Sequence, residues 1–254
     1  MRTRICQYEA LSNGKGSEAA KQFVLAKLYG YNEILKEYAL RRLDSFRYSE
    51  QIKALEDTDL NVLRNKLTSI EGKFSNQHFL QILQLFNESL RPEHRKTFKA
   101  YDGMNNIFNL AYEVLQWKVH QALIKAKLEP YLGFLHSIAM GKPSLICDFM
   151  ELYRYLVDDF VIQYCQGLGK NDFVMKNENY SSSRKGKREF LSDSITNSLV
   201  KNLNQHFKNI VTIPRIRMGK RQEIETLICE EALLFAQHLR NETQTWIPRI
   251  AKLD

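Results

Sequence analysis

The chain has 254 residues, 44% hydrophobic and 26% charged, enough to bury a sizeable core as one large domain or two small ones. Only 11 glycines and 5 prolines leave long stretches between helix breakers, which argues against an all-β protein built on many tight turns. The formal net charge of +8 favours a polyanion or an acidic membrane face as partner, nucleic acid first.

Residues 1–14 read as an irregular or extended lead-in, and 15–254 as a single helical domain. Glu9 and Glu18 interrupt the first twenty residues, so no signal peptide is expected. A long helix is predicted from Ser17 to Tyr38, with Ala19, Phe23, Ala26, Leu28, Ile34 and Leu35 on an apolar stripe. Short helical pieces follow to Asp57. Asp57 or Thr58 is the expected cap of a helix carrying Leu60, Leu63 and Leu67. Helix continues from Ser69 to Phe86, where Glu71 breaks the apolar pattern; a carboxylate there lies at the edge of the buried face or is held by a partner.

Arg91 to Lys99 is a basic loop, and Asp102 caps a helix to about Leu128 that ends at Glu129-Pro130. One helix is expected from Ser144 to Leu168. Residues 169–188, polar, serine-rich and basic, read as a flexible loop. A helix from Glu189 to Ile210, a break at Pro214 beside Arg215, Arg217, Lys220 and Arg221, and a last helix to Thr245 complete an all-α reading. The cysteines Cys6, Cys147, Cys165 and Cys229 lack zinc spacing and read as free thiols of a reducing cytoplasm. No apolar run of about 18 residues occurs, so no membrane span is expected.

The stretch from Leu128 to Arg154 concentrates the chemistry. His136 precedes a Gly141-Lys142-Pro143 break, and Asp148 and Glu151 follow one helical turn apart, on a shared face. An imidazole and converging carboxylates suit a divalent ion such as Mg²⁺ or Mn²⁺. An acidic pair at this spacing is equally compatible with a solvated helix face.

Three segments occur in order: Asp102-Gly-Met-Asn-Asn-Ile-Phe-Asn-Leu-Ala-Tyr112, Leu128-Glu-Pro-Tyr-Leu-Gly-Phe-Leu-His136, and Ser144-Leu-Ile-Cys-Asp148-Phe-Met-Glu151-Leu-Tyr-Arg154. This series resembles the CRISPR-associated integrase that acquires new spacers, with the transposon-encoded casposases as relatives. The resemblance covers roughly residues 5 to 240. It implies the family's α-helical catalytic domain without the usual N-terminal β-rich domain on which its dimer largely relies. It also implies a metal, Mg²⁺ or Mn²⁺, held by Glu71 of Ser69-Ile-Glu71-Gly72, by His136 and by Glu151, with Asp148 beside them as part of the catalytic set.

The implied reaction is attack by the 3′-OH of incoming DNA on a strand of the CRISPR array; water in its place gives nuclease activity. The implied partners are double-stranded or branched DNA, a small ferredoxin-like CRISPR adaptation subunit and a second copy in a homodimer. The basic clusters offer Arg95, Lys96, Lys142, Arg154, Arg184, Lys185, Lys187 and Arg188 as candidate DNA contacts. The alternatives are a catalytically weak DNA-binding relative, a casposase-like integrase, and a helical adaptor with an incidental acidic cluster.

Overall fold

The computed structural model describes residues 1–56, 59–179, 185–214 and 219–253. Among these, nine α-helices and two β-ribbons follow in chain order: α1 Arg2–Glu9, α2 Lys15–Glu37, α3 Ser45–Lys53, α4 Leu60–Ile82, α5 Gly103–Lys125, α6 Ser144–Met150, α7 Arg154–Cys165, β1 Phe173–Asn179, β2 Lys185–Leu191, α8 Asp193–His206, β3 Ile210–Ile213, β4 Lys220–Glu223 and α9 Ile224–Leu239. The helical expectation holds for the core. It is corrected at its edges by two antiparallel hairpins, β1–β2 and β3–β4. None of the described helices is long and apolar enough to cross a membrane.

α2 is the spine. Its face Phe23, Val24, Leu28, Tyr31, Ile34 and Leu35 is buried, and it packs on α3, α4, α6 and α7. Phe23 meets Phe149, Phe235 and Trp246 edge-on, with ring centroids 5.3, 5.9 and 5.2 Å away. That geometry sets positive ring edges against negative faces. Trp246 returns to this cluster from beyond α9, and its Nε1 donates to Glu231 Oε1 at 2.7 Å.

Gly30 lets α7 approach α2: a Cβ there would lie 2.5 Å from Tyr155 Cδ1, a buried ring whose hydroxyl is tied to the Ala251 carbonyl. Gly30→Ala is therefore expected to destabilise by about 1–3 kcal/mol through overpacking, although alanine is the better helix former. A urea midpoint equal to or above that of the parent would contradict this.

Several boundaries differ from expectation for identifiable reasons. The lead-in is helical: α1 is docked by Gln7, whose amide donates to the Glu129 and Leu132 carbonyls at 3.0 and 2.8 Å and accepts from the Glu129 N–H at 2.8 Å. Asp59 caps α4, accepting from the Asn61 N–H at 2.6 Å; Asp57 and Thr58 lie outside the described residues. Asp102 caps α5 as expected, accepting from the Asn105 N–H at 2.7 Å.

The expected helix over 144–168 is two helices, α6 and α7, broken at 151–153. The expected flexible loop over 169–188 contains the β1–β2 hairpin, which extends to Leu191 in the register Phe173↔Leu191. The hairpin is anchored on the start of α5: the Glu189 carboxylate accepts from the Gly103 N–H at 2.8 Å, the Glu189 N–H donates to the Tyr101 carbonyl at 2.9 Å, and the Asn106 amide donates to the Glu189 carbonyl at 2.6 Å. α8 is correspondingly shorter than the expected 189–210 helix, and α9 stops at Leu239 short of Thr245. All four cysteines are free thiols.

Candidate active site

The loop Gly133–His136 is pinned from two sides. Arg64 of α4 donates from Nε to the Phe134 carbonyl and from a terminal nitrogen to the Gly133 carbonyl, both at 2.7 Å. Asp148 of α6, 0% exposed, takes the amides: Oδ2 accepts from Phe134 N–H at 2.6 Å and Leu135 N–H at 3.0 Å, and Oδ1 accepts from His136 N–H at 2.8 Å. Three backbone donors compensate a carboxylate that burial would otherwise make costly. His136 Nδ1 lies 2.8 Å from the same Oδ1. Because a carboxylate only accepts, the imidazole proton belongs on Nδ1, which leaves Nε2 as the free lone pair.

Glu71 of α4 and Glu151 at the C-terminal end of α6 converge on one cation, Lys27 of α2. Lys27 Nζ contacts Glu71 Oε1 and lies 2.6 Å from Glu151 Oε2. Ser75 Oγ donates to Glu71 Oε1 at 2.6 Å, and Arg154 Nε donates to Glu151 Oε1 at 3.0 Å. The Lys27 side chain is 8% exposed and that of Glu151 4%. Burial pushes the Glu151 carboxyl up, but Arg154, Lys27 and His136 outweigh it and bring it down to about 2. Burial likewise pulls the Lys27 ammonium down, and Glu151 and Glu71 more than reverse this, so its pKa is raised. Glu151 Oε2 is buried and satisfied by the Lys27 ammonium 2.6 Å away.

Behind this pair the charge continues inward. The Arg154 guanidinium lies 4.4 Å from the Tyr112 ring centroid, and the Tyr112 hydroxyl donates to Asp158 Oδ1. Asp158 Oδ2 lies 3.4 Å from His78 Nε2, and His78 stacks on Tyr31 with centroids 3.6 Å apart.

The expected residues thus fall into two linked pairs: Glu71 with Glu151 through Lys27, and His136 with Asp148. Among the described residues, no group of three His, Cys, Asp or Glu side chains is spaced to hold a metal ion. Lys27 stands between the two glutamates.

The candidate DNA contacts separate by burial. Arg154 is committed to Glu151 and Tyr112. Arg95 is committed to Asn105 and Asn109 and lies over Phe108 and Tyr112. Lys96 and Lys187 are exposed and Lys142 is half-buried. Arg188 Nε donates to the Ala100 carbonyl at 2.8 Å. Lys185 pairs through its backbone with Asn179. Arg184 lies outside the described residues, as do Arg215 and Arg217.

Sequence reasoning missed Lys27 and Arg64. Both are charges set in an apolar helical face, Lys27 between Phe23 and Tyr31, and Arg64 between Leu60 and Leu67. That is the signal by which Glu71 stood out, and it applies equally to cations.

A family profile for CRISPR associated protein Cas1 matches residues 1–194. CRISPR-associated endonuclease Cas1 2 of Pyrobaculum aerophilum is 31% identical over 167 residues, covering 65% of this chain and 55% of that relative. The chain therefore spans about half the length of the curated relatives it matches. Among solved structures, a casposase bound to integration product superposes with a TM-score of 0.81 at 21% identity, covering 96% of this chain and 70% of the other. A Cas6-RT-Cas1–Cas2 complex superposes at 0.80 and 18% identity, covering 99% of this chain and 27% of the other. At these identities the structures speak for the fold, while the profile match takes in more than half of the residues. The chain belongs to the Cas1 family of CRISPR-associated proteins.

Proposed function

We propose that this chain carries the active site of a DNA integrase and endonuclease that uses a divalent metal ion and inserts new DNA into a CRISPR array. The observation that carries the reading is the buried Glu71–Lys27–Glu151 cluster beside an imidazole whose Nδ1 is tied to Asp148. The residue types suit a divalent cation, although as placed they are not spaced around one: two carboxylates already converge on the Lys27 ammonium, and the His136 tautomer leaves Nε2 available. Carboxylates with one imidazole suit Mg²⁺ and, with its greater tolerance of nitrogen, Mn²⁺.

Glu71, His136 and Glu151 would hold the ion. Bound there, it supplies a Lewis acid for a phosphodiester oxygen. The chain's own residues do the remaining work. Asp148 fixes the imidazole and shapes the Gly133–His136 loop. Arg154 neutralises the second oxygen of Glu151. Lys27 holds the glutamates together, and an ion bound between them would take the place of its ammonium. In strand transfer, a DNA 3′-OH forms a bond to phosphorus as the target strand's own 3′ oxygen leaves. Water as nucleophile gives cleavage. Exposed Lys96 and Lys187, with Lys142, are suited to positioning duplex or branched DNA through phosphates. A small ferredoxin-like adaptation subunit and a second copy of the chain complete the proposed assembly. One structural relative is a Cas1–Cas2 complex and another is bound to an integration product.

The test is strand transfer of a short 3′-OH duplex into supercoiled plasmid with Mg²⁺ or Mn²⁺. Glu71→Gln and His136→Ala are expected to reduce product by about a hundredfold or more, since even the outer partners of metal ligands are worth about 10–100-fold, with duplex binding retained at low salt. Variants that react at the parent rate would refute the site. A parent that binds DNA but transfers nothing under either metal would favour the catalytically weak relative, in which Lys27 permanently replaces the ion.

A further inference from the structure

Arg64 is a cation set in the buried face of α4, 8% exposed. Each of its nitrogens donates to a fixed acceptor: Nε to the Phe134 carbonyl and Nη2 to the Gly133 carbonyl, both at 2.7 Å, and Nη1 to Asn61 Oδ1 at 3.0 Å. Asn61 lies one turn earlier on the same helix and so orients the guanidinium plane. On the other side of the loop, Asp148 accepts from the Phe134 and Leu135 N–H groups.

These bonds fall on the same two peptide units. The Gly133 carbonyl and the Phe134 N–H belong to one peptide, and the Phe134 carbonyl and the Leu135 N–H to the next. Each plane is held at its carbonyl by a guanidinium and at its N–H by a carboxylate, along its own dipole. Neither plane can rotate without breaking a charge-assisted bond at both ends. His136 comes two residues after Phe134, with its own N–H on Asp148 Oδ1.

Arg64 and Glu71 are seven residues apart on the unbroken helix α4, with buried Leu67 between them. Seven residues are close to two turns, so both side chains rise from one face, about 10 Å apart along the axis. Helix α4 packs chiefly against α2 and α3, whereas His136 belongs to the connection between α5 and α6. Arg64 bridges these two parts of the molecule. One rigid helix carries Glu71 and grips the loop that carries His136.

We infer that Arg64 is a positioning residue, which sets His136 at a fixed place relative to Glu71 by locking the two peptide planes before the imidazole. The inference rests on the proposed metal-dependent reaction and adds a residue that acts on it only through His136. A lysine does not substitute for it, because an ammonium is a point charge on a flexible stem and lacks the fork that spans two carbonyls.

The test is Mn²⁺ binding without DNA, read from the electron paramagnetic resonance of free Mn²⁺, in four forms of the full chain: parent, Arg64→Lys, His136→Ala and the double variant. Strand transfer by parent and Arg64→Lys gives kcat and KM. Arg64→Lys is expected to weaken Mn²⁺ binding by about tenfold or more, the range for outer partners of metal ligands, and to lower kcat by about as much, with KM for DNA within about twofold. In the His136→Ala background the same substitution should leave Mn²⁺ affinity within about twofold, because the side chain it acts through is gone. A merely structural role would lower Tm equally in both backgrounds and leave Mn²⁺ affinity and kcat at parent values; that outcome overturns the positioning role while the proposed site stands. Weakening of equal size with and without His136 also overturns it, since Arg64 would then act elsewhere. Should Arg64→Lys fail to fold, Asn61→Ala, at an exposed position, removes only the bond that orients the guanidinium. It is expected to weaken Mn²⁺ binding by about threefold, the worth of about one neutral hydrogen bond, and an unchanged affinity in it overturns the role. A parent that binds no Mn²⁺, or binds it equally without His136, refutes the proposed ligand set and this role with it.

Discussion

Replacing Glu151 by alanine is expected to cost about 3–5 kcal/mol of stability, the range for breaking a buried ion pair from one side. The carboxylate is nearly inaccessible and serves two cations, Lys27 and Arg154, both fixed within the interior. Without it, Arg154 keeps the Tyr112 ring, and Lys27 keeps Glu71. Glu151→Gln preserves the shape and an acceptor for Arg154, so its cost should be smaller, and the difference isolates the charge. The pH dependence gives an independent check. The Glu151 carboxyl is lowered from its ordinary 4.5 to about 2, so the native state binds fewer protons than the unfolded chain. Its contribution is therefore complete above about pH 5 and is lost as pH falls through 4.5 toward 2. The full shift corresponds to about 3 kcal/mol at 1.36 kcal/mol per pH unit. Urea midpoints of the parent and Glu151→Gln, compared at constant m, should converge by about 2 kcal/mol between pH 7 and pH 3. A gap that stays constant over that interval would mean that packing, not charge, holds this residue.

How much of this was readable in advance depends on how far apart the interacting residues lie in the chain. The long helices α2, α4 and α5 announce themselves because their buried positions recur within a few residues of one another, and Asp102 marks the start of α5 by a bond made three residues away. His136 and Asp148 are twelve residues apart across a single loop, so their proximity follows from the break that separates them. What could not be read depends on distant partners. α1 is helical against a lead-in composition because Gln7 reaches Glu129 and Leu132. The β1–β2 hairpin forms from a polar, basic segment because Glu189 finds the backbone at the start of α5, more than eighty residues earlier. The break at 151–153 separates α6 from α7 inside an apolar run, where helical spacing gives no warning. Within the site, Glu71 stood out as a charge on an apolar face. Its partner Lys27 lies forty-four residues earlier on another helix, and only the packing of α2 against α4 brings the two together.

Lys27 is also where stability and the proposed chemistry meet, and Lys27→Met should separate them. Its ammonium is the one positive charge between Glu71 Oε1 and Glu151 Oε2 among the described residues, and methionine keeps the length of the side chain without the charge. In chelator, two carboxylates then face each other, with only Arg154 on the far side of Glu151 and Ser75 on Glu71. The variant should be less stable by about 3–5 kcal/mol. A divalent ion that binds between those carboxylates and at His136 stabilises the folded state by about 2.7 kcal/mol at a hundredfold excess over its dissociation constant. In a chain of this size that corresponds to a rise of about 5–10 °C in Tm. The parent should respond less, because its own ammonium competes for the position. Thermal melts of parent and Lys27→Met in EDTA and in saturating MnCl₂ read this directly, without any DNA. The same melts with His136→Ala added to Lys27→Met should show a smaller manganese effect, since one ligand is gone. Equal shifts in parent and Lys27→Met would place the ion elsewhere. No shift in either would mean that Glu71, His136 and Glu151 do not form a cation site, and the metal-dependent chemistry proposed for this chain would fall with it.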